Sequence, residues 1–150
     1  MKNNGITEYF EEVETEEEYN GYFCRIPEII TIAILGSMCG LKNVSQIHQW
    51  ASNDRVSEFL REKFGINHVP CYYWILCMLK MIKTETLNRC FANWVYSFMP
   101  KNAKDMTISL DGKTICSTNR IEKIESPLHI ISAQISELGL TLAQCSTDDK

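Results

Sequence analysis

Met106-Thr-Ile-Ser-Leu-Asp-Gly-Lys-Thr114 is where the chain changes its period. Met106, Ile108 and Leu110 alternate with Thr107 and Ser109, the two-residue repeat of a half-buried strand. Leu128-His-Ile-Ile-Ser-Ala-Gln-Ile135, rich in β-branched residues, and Leu140-Thr-Leu-Ala-Gln-Cys145 continue the pattern and predict two more strands, an antiparallel hairpin around Gly139. Asp111-Gly112 reads in two ways. It is the commonest hairpin turn signal, and on residue types alone the turn is the commoner reading; it is also an aspartate leaving an apolar strand, able to hold a divalent cation while glycine admits a substrate backbone. A nucleotide-binding loop ending in Gly112-Lys113-Thr114 is excluded, because that motif needs glycine where Thr107 stands.

Upstream of Pro100 the period is helical. Ile26 to Cys39 is apolar, carries Pro27 near its first position and stops at Gly40, a natural left-handed cap. Ser45 to Asn53 predicts a short amphipathic helix with Ser45 as its N-cap, and Asp54 caps Arg55 to Phe64, which Gly65 stops. Tyr72 to Ile82 is apolar nearly all round and reads as the central helix of a bundle. Thr84 caps a fifth helix, with Leu87, Phe91, Trp94, Val95 and Phe98 facing inward and Pro100 ending it. Three strands with one apolar face are marginal alone, so the sheet packs on the helices or lacks its remainder. The predicted class is α+β, with residues 1–20 an acidic, frayed or weakly helical lead-in, 21–100 an all-helical module and 105–150 the sheet.

The 150 residues are 45% hydrophobic and 23% charged, the composition of ordinary globular protein. A net charge of −4 argues against a nucleic-acid partner until it is divided along the chain. Residues 1–20 hold seven glutamates against Lys2 alone, so the remainder is +2. From Lys80 to Lys123 eight basic residues outnumber four acidic ones, a mildly basic region able to meet phosphate or to be a solvated face. Seven cysteines with no Cys-x-x-Cys pair, and three scattered histidines, exclude zinc-site spacing and point to reduced cysteines in a cytoplasmic protein. No stretch reaches the roughly 20 apolar residues of a membrane span. His48 beside Trp50 could read a base or stack on a nucleotide, a partly buried structural histidine being the commoner reading; His129 reads as a sheet-face residue, and Tyr72, Tyr73, Trp74, Trp94 and Tyr96 as bundle core rather than a stacking platform.

Taken in order, the Pro-led helix ending at Cys39-Gly40, Ile47 and Trp50, Gly65-Ile66, Val69-Pro70, Phe91-Ala-Asn-Trp94, Ser109-Leu-Asp-Gly-Lys-Thr114, Leu128-His-Ile-Ile-Ser-Ala133, Gly139-Leu140 and Thr147-Asp-Asp-Lys150 resemble a known family. They are similar to insertion-sequence transposases of the DDE class, of the H-repeat-associated type, from about Tyr22 to the last residue. The resemblance implies a transposase-associated helical domain followed by the first three antiparallel strands of an incomplete RNase H-like core. It implies that Asp111 is the first of three acidic, catalytic metal ligands, that Mg2+ is the metal, and that Lys113 touches DNA phosphate. The second aspartate and the glutamate of that triad have no counterpart here, and Asp148 and Asp149 do not replace them.

A lone carboxylate holds magnesium weakly or not at all. The expectation is therefore a truncated DDE transposase, from a family that transposes DNA by metal-dependent phosphodiester transfer, whose 150 residues are inactive and limited to binding. Expected partners are transposon-end DNA and a second copy or an intact transposase. The rival reading is a stand-alone helical DNA-binding or regulatory interaction module.

Overall fold

The structure, a computed structural model, describes residues 5–17, 24–99, 107–115, 128–136 and 140–147. A single turn of 3-10 helix, Ile6–Phe10, precedes α1 (Ile26–Met38), α2 (Val44–Ala51), α3 (Asp54–Phe64), α4 (Tyr72–Met81) and α5 (Thr84–Tyr96); β1 (Ile108–Ile115), β2 (Leu128–Ile135) and β3 (Leu140–Thr147) follow. The α+β class is as expected. The chain divides into two units, Met1–Phe91 and Ala92–Lys150, so the last turn of α5 belongs to the second.

In the first unit α1 is the buried helix. Its Ile32 joins Ile47 and Ala51 of α2, Leu60 of α3 and Ile66 in one apolar cluster, while its Ile29 joins Cys24 and the α4 residues Ile75 and Met78 in another. The expectation that Tyr72 to Ile82 would be central is corrected. Its first turn is open to water, with Tyr73 68% exposed beside the half-exposed Tyr72 and Trp74. An all-apolar stretch does not reveal which of its members stay outside, and Tyr and Trp tolerate water through their polar ends.

The helix ends explain the helix lengths. Pro27 stands at the start of α1, where no N–H is needed, and the Glu28 carboxylate accepts the Arg25 backbone N–H at 3.1 Å. At its other end Gly40 takes φ 82°, and the N–H groups of Gly40 and Leu41 donate back to the carbonyls of Ser37 and Gly36. Two expected caps are corrected by one residue or two. Asn43, not Ser45, caps α2 by accepting from the Gln46 N–H at 2.9 Å, and Asn53, not Asp54, caps α3 by accepting from Arg55. Gly65 stops α3 in the left-handed conformation, as read from the sequence.

Of the two expectations for the acidic lead-in, frayed or weakly helical, residues 5–17 follow the second, with the Ile6–Phe10 turn docked. Phe10 is fully buried in it and Val13 nearly so, an apolar gain of about 1.5–3 kcal/mol for the phenyl ring. Backbone bonds then sew the segment to the α4–α5 connection: Glu16 N–H to Met81 C=O at 2.8 Å, Lys83 N–H to Glu14 C=O at 2.9 Å, and Glu14 N–H to the Thr86 hydroxyl at 3.1 Å. Seven glutamates concealed two apolar anchors.

In the second unit β1 pairs antiparallel with β2 and β2 with β3, giving the order β1-β2-β3 with a register shift between Ala133 and Gln134. Ile135 is buried against Val95, with Trp94 and Met99 around them. Phe91 and Phe98, expected on the inner face of α5, are exposed instead; Thr86, Cys90 and Val95 are the residues it buries. Pro100, Gly139, Asp148 and Asp149 lie outside the described residues, as does the expected boundary at 100–105.

Gly36 of α1 leaves no room at the crossing with α2: a Cβ there would stand 2.8 Å from Ile47 Cγ1. Ile47 is itself buried and β-branched, hence slow to yield. Gly36→Val is expected to lower unfolding stability by about 2 kcal/mol in denaturant titration, whereas Gly5→Val, where a Cβ would meet Thr7 Oγ1 at an ordinary 3.6 Å, changes it by less than about 0.5 kcal/mol.

Lys83 Nζ lies 2.9 Å from Glu14 Oε2, and that hydrogen bond, followed by the charge of Lys83, holds the Glu14 carboxyl below its ordinary 4.5. A carboxyl with a depressed folded value contributes stability above its unfolded value and loses it as pH falls through the folded one. Wild-type chain should lose more stability than Lys83→Met on acidification below pH 4.5. Both side chains are exposed, so this excess should vanish in high salt.

Candidate functional site

Asp111 and Gly112 are not a turn. Both lie inside β1, Asp111 opposite Ser132 and Gly112 opposite Ile131, so the aspartate stands in a continuous ladder rather than at a bend. The commoner reading of an Asp-Gly pair is thereby overturned. Its physical reason is register: β1 runs five residues past Leu110 in continuous pairing with β2, and a glycine weakens a strand without ending it.

The two-residue period sorts the sheet into unlike faces. Ser109, Asp111 and Lys113 share one face of β1, with Gln134, Ser132 and Ile130 opposite them on β2. Ile108, Leu110 and Gly112 share the other, facing Ile135, Ala133 and Ile131. Asp111 is exposed, and the Ser132 hydroxyl donates to its backbone carbonyl at 3.4 Å, which leaves the carboxylate outside that contact. Lys113 is exposed two residues along, on the same face. The arrangement presents one carboxylate, one ammonium and a row of hydroxyl and amide groups to solvent.

No group of three or more His, Cys, Asp or Glu residues that could hold a metal ion exists among the described residues. Around Asp111 the described donors amount to its carboxylate and the Ser132 hydroxyl across the ladder. Magnesium demands near-octahedral oxygen coordination, usually through more than one carboxylate or phosphate, so this set does not fit it.

The remaining candidates separate. His48 is half-buried on α2, its Nε2 3.3 Å from the Ser52 hydroxyl, and Trp50 packs against the α1–α2–α3 cluster, both as structural residues. His129 is opposite Thr114 in the sheet, as expected of a strand residue. The aromatic set is not bundle core: Tyr72, Tyr73, Trp74 and Tyr96 are all exposed, and Trp94 alone of the five is half-buried. Of the basic run, Lys80, Arg89 and Lys113 are exposed, while Lys83 is held by Glu14; Lys101, Lys104, Arg120 and Lys123 lie outside the described residues.

The cysteines divide by burial. Cys24 and Cys90 are buried, Cys77 is half-buried, Cys39 and Cys71 are exposed, and these five form no disulfide among the described residues. Burial first, then the Glu28 charge, pushes the Cys24 thiol up to about 11, and it donates to the His68 carbonyl at 3.3 Å. It is an inert core residue. Cys71 also opens α4 without a side-chain hydrogen bond, where a serine would cap.

No helix among the described residues is long and apolar enough to cross a membrane. Comparison with known proteins adds the lineage. Two relatives from Escherichia coli (strain K12), the "H repeat-associated putative transposase YhhI" and the "Putative protein YbfL", are each 24% identical over 127 residues, which is 84% of this chain and 33% of theirs. The chain thus spans about a third of the length of these curated relatives. No solved structure matches it. The DDE_Tnp_1-associated family matches residues 7–95, which takes in the docked lead-in and all five helices up to Val95, and the chain belongs to that family.

Proposed function

We propose that the chain serves DNA transposition as the DNA-engaging, transposase-associated module of a DDE transposase, joined to the opening strands of an RNase H-like core. The observation that carries this reading is the placement of Asp111 and Lys113. They stand two residues apart on the polar face of a strand, directly downstream of a helical unit that the transposase-associated family matches. In a chain of the relatives' length, Asp111 would be one of several carboxylates around magnesium, and Lys113 would meet a DNA phosphate beside it. The part proposed for these 150 residues is DNA binding, with Asp111 awaiting further carboxylates for metal chemistry. Lys80, Arg89 and Lys113 supply exposed positive charge for the phosphate backbone.

Fluorescence anisotropy against duplexes carrying the ends of the encoding insertion sequence tests the binding. Binding should weaken steeply with salt, and Lys113→Gln should lower the slope of log K against log salt by about one. Absence of binding at low salt would overturn the reading. In nicking and strand-transfer assays with Mg2+, the chain should show no activity above an Asp111→Asn control. Magnesium titration followed by NMR should give no saturable shift at Asp111, and a tight, Asp111-dependent site would contradict the account of its ligands.

A second reading, a stand-alone helical interaction module, is favoured by one observation: the family match ends at residue 95, before any strand begins. A cooperatively folded chain that ignores end DNA, yet lowers transposition when co-expressed with an intact relative, would establish that reading in place of the first.

A further inference from the structure

The acidic lead-in brings its carboxylates to cations of the helical unit. Lys83 Nζ, in the connection between α4 and α5, lies 2.9 Å from Glu14 Oε2, and Arg25 Nη1, at the N-cap of α1, lies 3.0 Å from Glu11 Oε1. Arg89 of α5 also acts on the Glu14 carboxyl by its charge, after Lys83. The Glu14 hydrogen bond, then its charge, holds the Lys83 ammonium above its ordinary value, with Glu16 and Glu85 adding theirs. Of the basic residues at the α4–α5 corner, Lys80 and Arg89 are exposed, and Lys83, between them in the chain, is the one a glutamate holds.

These ion pairs are not what docks the segment. Phe10 and Val13 are buried, and the backbone of Glu14 and Glu16 bonds to Thr86, Lys83 and Met81. The pairs themselves lie in water, where a salt bridge adds little to stability. The backbone thus delivers the Glu14 carboxylate to Lys83, and exchanging that carboxylate for another anion would cost the fold little. A phosphodiester is such an anion: it offers an ammonium the same charged oxygen acceptor, and lysine, a point charge, needs no bidentate match.

We propose that the acidic lead-in restrains DNA binding at the α4–α5 corner, with the Glu14 carboxylate occupying at Lys83 the position of a backbone phosphate. This restraint rests on the DNA-binding reading above and adds where one phosphate contact lies and what withholds it. Fluorescence anisotropy of the full chain on the same duplexes, at about 0.1 M salt, tests it. Glu14→Gln keeps the backbone bonds and the buried anchors while freeing one lysine for one phosphate. It should tighten binding about fivefold and steepen the slope of log K against log salt by about one. Glu62→Gln, an equal change of net charge on the exposed side of α3, should alter affinity by less than about twofold. On a Lys83→Gln background the gain from Glu14→Gln should fall below about twofold, because the two residues act through one contact. A wild-type chain that binds while Glu14→Gln binds no tighter, a gain that persists without Lys83, or an equal gain from Glu62→Gln would overturn the restraint and leave the DNA-binding reading standing. Absence of binding by wild type and Glu14→Gln alike at low salt would strike the DNA-binding reading itself, and the restraint with it.

Discussion

Everything in the first unit depends on the burial of α1. A helix carrying isoleucine at positions 26, 29, 30 and 32 cannot leave any broad side in water, and the structure gives it a different neighbour on each. Ile32 faces the cluster shared with α2 and α3, and Ile29 faces α4. Gly36 sets how closely α2 approaches, since its missing side chain is the space that Ile47 occupies. The lead-in follows from the same demand. Its 3-10 turn packs on α1, and its later residues bond to the α4–α5 connection, so a segment dominated by glutamate is ordered by Phe10, Val13 and the backbone.

The second unit rests on a different constraint, the alternation of side chains across a strand. Ladder pairing with β2 assigns Asp111 and Lys113 to a polar face and Ile108 and Leu110 to an apolar one, and no side-chain choice can alter that once the register is set. Burial of Ile135 against Val95 anchors the apolar face at one end, while Leu110 and Ile131 remain exposed along it. The chemistry available at Asp111 therefore follows from a backbone register. One carboxylate, one ammonium and a row of hydroxyl and amide groups are what that face presents to solvent.

Much of this was legible in the residues. Helix bounds fell within a residue or two at Pro27, Gly40 and Gly65, because those residues act through local backbone conformation, whereas α5 stops at Tyr96, short of Pro100. β2 was bounded correctly by its alternation alone. The caps at Asn43 and Asn53 were missed because Ser45 and Asp54 are equally competent chemically; which oxygen reaches a free N–H depends on where the first turn begins. Phe10 and Val13 were hidden among seven glutamates, a case in which composition averaged over a segment conceals two positions.

Sequence by itself determined the five helices, the change to strands after Pro100 and the family resemblance, because periodicity, caps and residue order are local properties of the chain. Tertiary structure decided that α1 rather than α4 is buried, that the aromatic start of α4 faces water, and that Asp111-Gly112 is strand rather than turn. Each of these rests on the partner an element meets, and a run of apolar residues, or an Asp-Gly pair, is compatible with more than one partner. Asp111 was singled out by the family resemblance, its neighbours in the chain favouring a turn; the polar face it shares with Ser132 and Lys113 comes from pairing between residues 21 positions apart.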